Sequence, residues 1–291
     1  MTQASRAVKP PRLAVQSVSF VKFSLLMMTL LLVGSWYSIL TSDRLQATGF
    51  FSGETLDRAW TFLGDFVGSN SSVTPAFFKV QEWQDKAALA LDTVAMSILG
   101  IGIAGAAAFV LFIFGSHNVM VGELAPYKGR ISWVLYGATR AFFLFTRSIP
   151  ELVWALIIVF AFTPGILPGA VALGIHNAGV LGRLGSETVE GLDVRPLRSL
   201  QSAGAGRLQV ALFGVLPEAL PRFVTYLLYR WEVVIRTTVV VGFVSAGGLG
   251  MEFRLAMSFF KYTEVTLILI WYLIIVLAVD FASALLRRMA N

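Results

Sequence analysis

Residues 183–222 read RLGSETVEGLDVRPLRSLQSAGAGRLQVALFGVLPEALPR, a polar stretch between two apolar blocks. Helix–helix connections in bundles usually take only a few residues, so a connection this long needs a cause. Its five arginines, Arg183, Arg195, Arg198, Arg207 and Arg222, put it on the cytoplasmic side of a membrane. Pro196 suits the first turn of a short helix running to about Ala203, because a fixed φ and a missing N–H cost nothing there. Gly204 stops that helix. Leu197 and Leu200, three apart, share a face that something outside the membrane is expected to grip. The stretch therefore predicts a docking helix for a soluble partner.

Composition agrees with a membrane setting. The chain has 291 residues, 56% hydrophobic and 14% charged, with mean hydropathy +0.74. A soluble domain of this size needs a more charged surface. Several runs reach the roughly 20 apolar residues that cross a bilayer, so the fold class is an all-α polytopic membrane protein. The net charge of +6 sits mostly at span ends and does not indicate nucleic acid. With no cysteine and two histidines, thiol catalysis, disulfides and a histidine metal cluster are excluded.

Working outward, residues 1–20 form a cytoplasmic tail with Arg6, Lys9 and Arg12. Residues 21–86 hold a first span, Val21 to about Leu40, and an external segment. A cleaved signal peptide is the competing reading of that span. Within the external segment, Thr55–Gly68 predicts an amphipathic helix, packed on the bundle or lying in the lipid interface. Residues 87–291 form the core, with the coupling loop at 185–216. Ala87–Phe114 is the second span, and Gly100, Gly102 and Gly105 let it pack closely. His117 falls in a cytoplasmic turn. Ile131–Phe162 is read as one long helix kinked at Pro150, with two short helices and a re-entrant break as runner-up. Gly169 to about Leu184 is the fourth span, Pro217–Ser245 the fifth and Glu264–Leu286 the sixth. Met251–Thr263 is expected to be an external connector. Cytoplasmic segments then hold thirteen cations against six outside, the sign that six spans with both termini inside require.

Charge inside the membrane is costly and faces protein, partner ions or water. Arg147 and Glu151 are four apart, as are Glu232 and Arg236, so each is expected to pair on one helix face. Together with Arg230 they form the expected substrate pathway, in which surplus arginine lines an anion path. Structural ion pairs holding kinked helices are the plainer alternative. Gly247, Gly248 and Gly250 predict a flexible break at the outer end of the fifth span, part of an outer gate. No catalytic residue or metal set emerges.

The segment Arg198–Pro217 resembles the cytoplasmic loop motif of bacterial ABC-importer permeases: Glu-Ala-Ala, three residues, Gly, nine residues, Ile, one residue, Leu-Pro. Gly204 takes the glycine and Leu216-Pro217 the Leu-Pro. Arg198-Ser199-Leu200 falls on Glu-Ala-Ala and Gly214 on the isoleucine, so the leading acid and the isoleucine are missing. RSIPELVWALI, HNAGVLG, ETVEGLD, AGAGRLQV, GVLPEALPRF and YLLYRWEVVIRTTVVVGFVSAGGLG resemble the phosphonate-type permeases of that superfamily, from about Arg147 to the end.

The resemblance implies a type I importer permease fold of six transmembrane helices in the bacterial cytoplasmic membrane. It implies a second copy of the chain as a homodimer, two cytoplasmic ATPase subunits and an extracytoplasmic substrate-binding protein. ATP and magnesium would sit on the ATPase, with no cofactor on this chain. The cargo would be phosphonate or a related phosphorus oxyanion, phosphite or phosphate. Coupling would fall to Pro196, Leu197, Leu200, Gly204, Ala205, Leu216 and Pro217, with Glu187 and Glu190 meeting basic residues of the ATPase. A self-sufficient secondary transporter or channel for small anions explains the intramembrane charge equally well but not the long arginine-bearing stretch. An intramembrane enzyme lacks clustered catalytic residues.

Overall fold

Proline decides the sharpest feature of the chain. The residue before a proline is pushed out of the helical region, and Ile149 accordingly sits at φ −87°, ψ 123°, between helices α5 (Arg130–Ser148) and α6 (Glu151–Ala161). The two helices meet at 91°. The expected single kinked helix over 131–162 is therefore corrected to two helices with a break. Ile149 and Pro150 are both extended, so the α5 ladder ends outright rather than skipping one bond.

The computed structural model describes residues 20–41, 52–69, 74–125 and 129–290. The expected tail 1–20 lies outside them apart from Phe20. Among the described residues every regular element is helical. The chain forms two compact units, Met1–Leu63 and Gly64–Asn291. The first holds α1 (Phe20–Thr41), whose 22 residues extend about 33 Å, enough for a bilayer core. Most of α2 (Gly53–Val67) also belongs to it. Leu56, Trp60 and Leu63 form an exposed apolar stripe on α2.

The second unit is built on α3 (Val80–Leu111) and α7 (Ile166–Glu190). Their contact is lined by small residues, among them Ala104, Ala108, Ala170 and Ala178. A Cβ on Gly174 would stand 2.7 Å from Ile103, so the backbones approach as only glycine allows. After α7 come α8 (Val194–Ser202), α9 (Leu216–Val241), α10 (Gly248–Ser258) and α11 (Tyr262–Ala290). A three-residue turn at Arg207–Gln209 and a wide π turn at Val210–Val215 lead into α9. A one-turn helix, α4 (His117–Met120), follows α3.

A second π turn, Gly242–Ala246, breaks α9 from α10, and the pair is bent by 50°. The segment expected to be a connector, Met251–Thr263, is thus helical as far as Ser258. Lys86, buried on α3, reaches Glu252 of α10 at 2.5 Å and Glu264 of α11 at 3.7 Å, which ties these helices at one end. Among the described residues, α1, α3 and α11 are each long and apolar enough to cross a membrane. Counting each bent pair as one span raises the total to five, against the six expected.

Candidate functional site

The short helix expected from Pro196 to about Ala203 is present as α8 (Val194–Ser202), with one face reassigned. Asp193 caps α8 by accepting from Arg195 N at 3.0 Å. At the other end Gly204, at φ +92°, lets Ala205 N reach Leu200 O at 3.1 Å and close the helix. Leu197 is only 1% exposed, packed with Phe112, Leu124, Val189 and Val215. It is therefore an internal anchor, which corrects the expectation of an outward Leu197–Leu200 face. Leu200 remains exposed and, with Ala203, Gly204, Ala205, Gln209 and Phe213, lines an open groove.

The departures from the loop motif have physical causes. A Cβ on Gly214 would lie 2.5 Å from Leu197 Cδ2 and 3.2 Å from Leu200 Cδ1. The glycine in the isoleucine position is the seat into which Leu197 fits. Arg198, where the motif has glutamate, pairs with Glu123, and Gln201 donates to Leu124 O at 2.9 Å. Both bonds fasten α8 to the turn after α4. Glu187 pairs within α7 with Arg183 at 2.6 Å. Glu190 takes Arg140 and the backbone N–H of His117, 2.7 Å away. Both expected ATPase contacts thus already have partners in this chain. Leu216 opens α9, and Pro217, second in that helix, is exposed.

The intramembrane charges pair differently from their spacing. Glu232 bonds Arg287, and Arg236 bonds Asp280 at 2.6 Å, so the expected Glu232–Arg236 pair is replaced by two pairs between α9 and α11. Glu151 lies 3.6 Å from His176 Nε2, and Arg147 stands across the break, which replaces the expected Arg147–Glu151 pair. Among the described residues neither Arg147 nor Arg230 has a carboxylate within ion-pair distance. Arg230 Nε donates to Asn177 Oδ1 at 2.5 Å, and Arg147 Nε is buried with no hydrogen-bond partner.

His176 and Asn177 share one turn of α7. His176 Nδ1 lies 2.9 Å from Ile149 O, the carbonyl freed by the break, and Asn177 faces Arg230. A Cβ on Gly179 would lie 3.0 Å from Arg147 N. Trp154 Nε1 donates to Thr146 O at 3.0 Å and so bridges the break from α6 to α5. Neither His176 nor Asn177 is among the expected site residues, although both stand in the HNAGVLG motif. Two adjacent polar residues in the middle of an apolar span were the available signal.

The glycine segment is a tight joint. Gly247 and Gly248 have φ of +91° and +66°. Leu249 N donates to Thr93 Oγ1 of α3 at 2.9 Å, and a Cβ on Gly250 would stand 2.4 Å from Val239 O. The glycine segment thus packs tightly against α3 and α9.

Comparison with known proteins adds a lineage. Residues 124–291 match the family described as "Binding-protein-dependent transport system inner membrane component". The chain is 37% identical over 198 residues to the phosphite transport system permease protein PtxC of Stutzerimonas stutzeri, covering 68% of each. It is 30% identical over 200 residues to the phosphate-import permease protein PhnE of Mycolicibacterium smegmatis, covering 69% of this chain and 36% of that one. Its fold resembles an inward-facing structure of the MetNI methionine ABC transporter, with TM-score 0.59 and 18% identity, over 71% of this chain and 96% of that one.

Proposed function

We propose that this chain, which belongs to the family of binding-protein-dependent transport system inner membrane components and is the membrane-spanning permease subunit of an ATP-driven importer, moves phosphonate or a related phosphorus oxyanion such as phosphite or phosphate. The carrying observation is the 37% identity to a phosphite permease over 198 residues. Among the described residues Arg147 and Arg230 have no carboxylate within ion-pair distance, and they suit a tetrahedral anion, since a guanidinium offers planar, paired donors to phosphoryl oxygens.

In this reading two copies form the passage in the bacterial cytoplasmic membrane, with both termini inside. A binding protein delivers cargo from outside. Two ATPase subunits, which carry ATP and magnesium, dock on the groove of Leu200, Ala205 and Phe213. The anchoring of α8 by Leu197 and Arg198 supports this role, because force passes through a rigid element better than through a loop. Gly247 to Gly250 would bend as the outer gate opens.

The test is reconstitution of the permease with its ATPase and binding protein in vesicles. Uptake of labelled phosphite that requires ATP and the binding protein is expected. Uptake by the permease alone, driven by an ion gradient, would replace this reading with a secondary transporter.

A further inference from the structure

Arg230 is half-buried, yet its partner is an amide where a carboxylate is usual. Asn177, fully buried on α7, accepts from Arg230 Nε at 2.5 Å. Its Nδ2 donates to Leu173 O at 2.7 Å. Both bonds demand one amide orientation, since the flipped one would set N–H against N–H and oxygen against oxygen. The amide therefore aims the guanidinium without cancelling its charge. Among the described residues the terminal nitrogens, Nη1 and Nη2, make no hydrogen bond, and neither is one of the buried polar atoms left without a partner. These paired donors thus reach the accessible surface. Tyr226 and Arg222, one and two turns earlier on the same face of α9, line an open cleft of about 250 Å³ with Pro221 and Thr225. The helices do not need the Asn177 bond to stay together. Phe223 of α9 stacks on Phe112 with ring centres 5.4 Å apart, and a Cβ on Gly185 of α7 would stand 3.3 Å from Phe223. Trp231 Nε1 donates to Ser97 Oγ of α3 at 3.1 Å, which pins α9 at the residue next to Arg230.

We propose that Asn177 is the positioning residue that presents Arg230 to the anion, through a neutral bond that leaves the guanidinium its charge and its two terminal donors. An aspartate there would hold Arg230 as firmly, but it would be a counter-charge that the cargo has to displace. Asn177 acts through Arg230 and need not touch the cargo. Glu232 and Arg236 have no such role, since Arg287 and Asp280 pair with them. The anion rests on the function proposed above, whereas the hold on Arg230 stands on the geometry.

The experiment is ATP-dependent uptake of radiolabelled inorganic phosphite by the permease reconstituted in vesicles with its ATPase and binding protein. Asn177→Asp is expected to cut uptake about tenfold, the scale of one charge-assisted contact, while its thermal unfolding midpoint stays at or above that of wild type. More ATP should be hydrolysed per phosphite imported, a ratio that a packing defect would leave alone. Asn177→Ala should cut uptake about fivefold, the scale of one neutral hydrogen bond. In an Arg230→Gln background it should add no further loss, because it acts only through that side chain. Uptake at the wild-type level in Asn177→Asp, or an equal loss from Asn177→Ala in both backgrounds, overturns the positioning role even if wild type imports phosphite. If wild type imports labelled sulfate and not phosphite, and Asn177→Asp cuts that uptake as much, the positioning role stands and the phosphorus cargo is wrong.

Discussion

At the residue scale, one missing side chain explains how α8 is seated. Gly214 stands where the loop motif has isoleucine, and Leu197 fills the space. Restoring the motif by Gly214→Ile should therefore harm this protein. Its Cβ alone would approach Leu197 to 2.5 Å, well inside van der Waals contact, before the rest of the side chain is placed. Overpacking of this kind costs about 1–3 kcal/mol. The thermal unfolding midpoint in detergent should fall accordingly. Adding Leu197→Ala to the same variant should recover part of the loss, because the two side chains compete for one volume. Equal midpoints for wild type and Gly214→Ile would mean that the seat is looser than its geometry.

At the scale of elements, the two faces of α8 differ in burial and predict different effects. Leu197 is inside and Leu200 is outside. Leu197→Ala should destabilise the fold by about 2–4 kcal/mol, the cost of removing a buried leucine. Leu200→Asp should leave the midpoint nearly unchanged, as exposed substitutions usually do, yet abolish co-purification of the ATPase. A Leu200→Asp protein that still captures the ATPase would move the docking surface elsewhere.

The same helix marks what was legible in the sequence. Its ends were, because Pro196 and Gly204 act locally, through their own φ angles. Its inward face was not, because Leu197 and Leu200 look alike until Phe112 and Gly214 are folded against one of them. The charge pairs failed for the same reason. Spacing of four offered Glu232–Arg236 and Arg147–Glu151, whereas the partners adopted lie far along the chain, at Arg287, Asp280 and His176. Pro150 announced a break but not its angle, which depends on His176 and Trp154 satisfying carbonyls across it.

At the scale of the whole molecule, the number of crossings turns on α7. Its 25 residues extend about 37 Å, longer than a bilayer core. Its composition is glycine-rich and it carries His176, Asn177 and Arg183, so it is less apolar than α3 or α11. More than half of its residues are buried against α3, α5, α6 and α9. A helix so shielded meets little lipid and needs little hydropathy to lie within the membrane. If α7 crosses, Thr163 before it and Ser202 after it lie on opposite sides; if it does not, they lie on the same side. The chain has no cysteine, so single substitutions report directly. Thr163→Cys and Ser258→Cys should react with an impermeant maleimide added to intact cells. Ser202→Cys should react only after the membrane is opened. Labelling of all three in intact cells would remove α7 from the spans and α8 from the cytoplasm together, since one crossing fixes both.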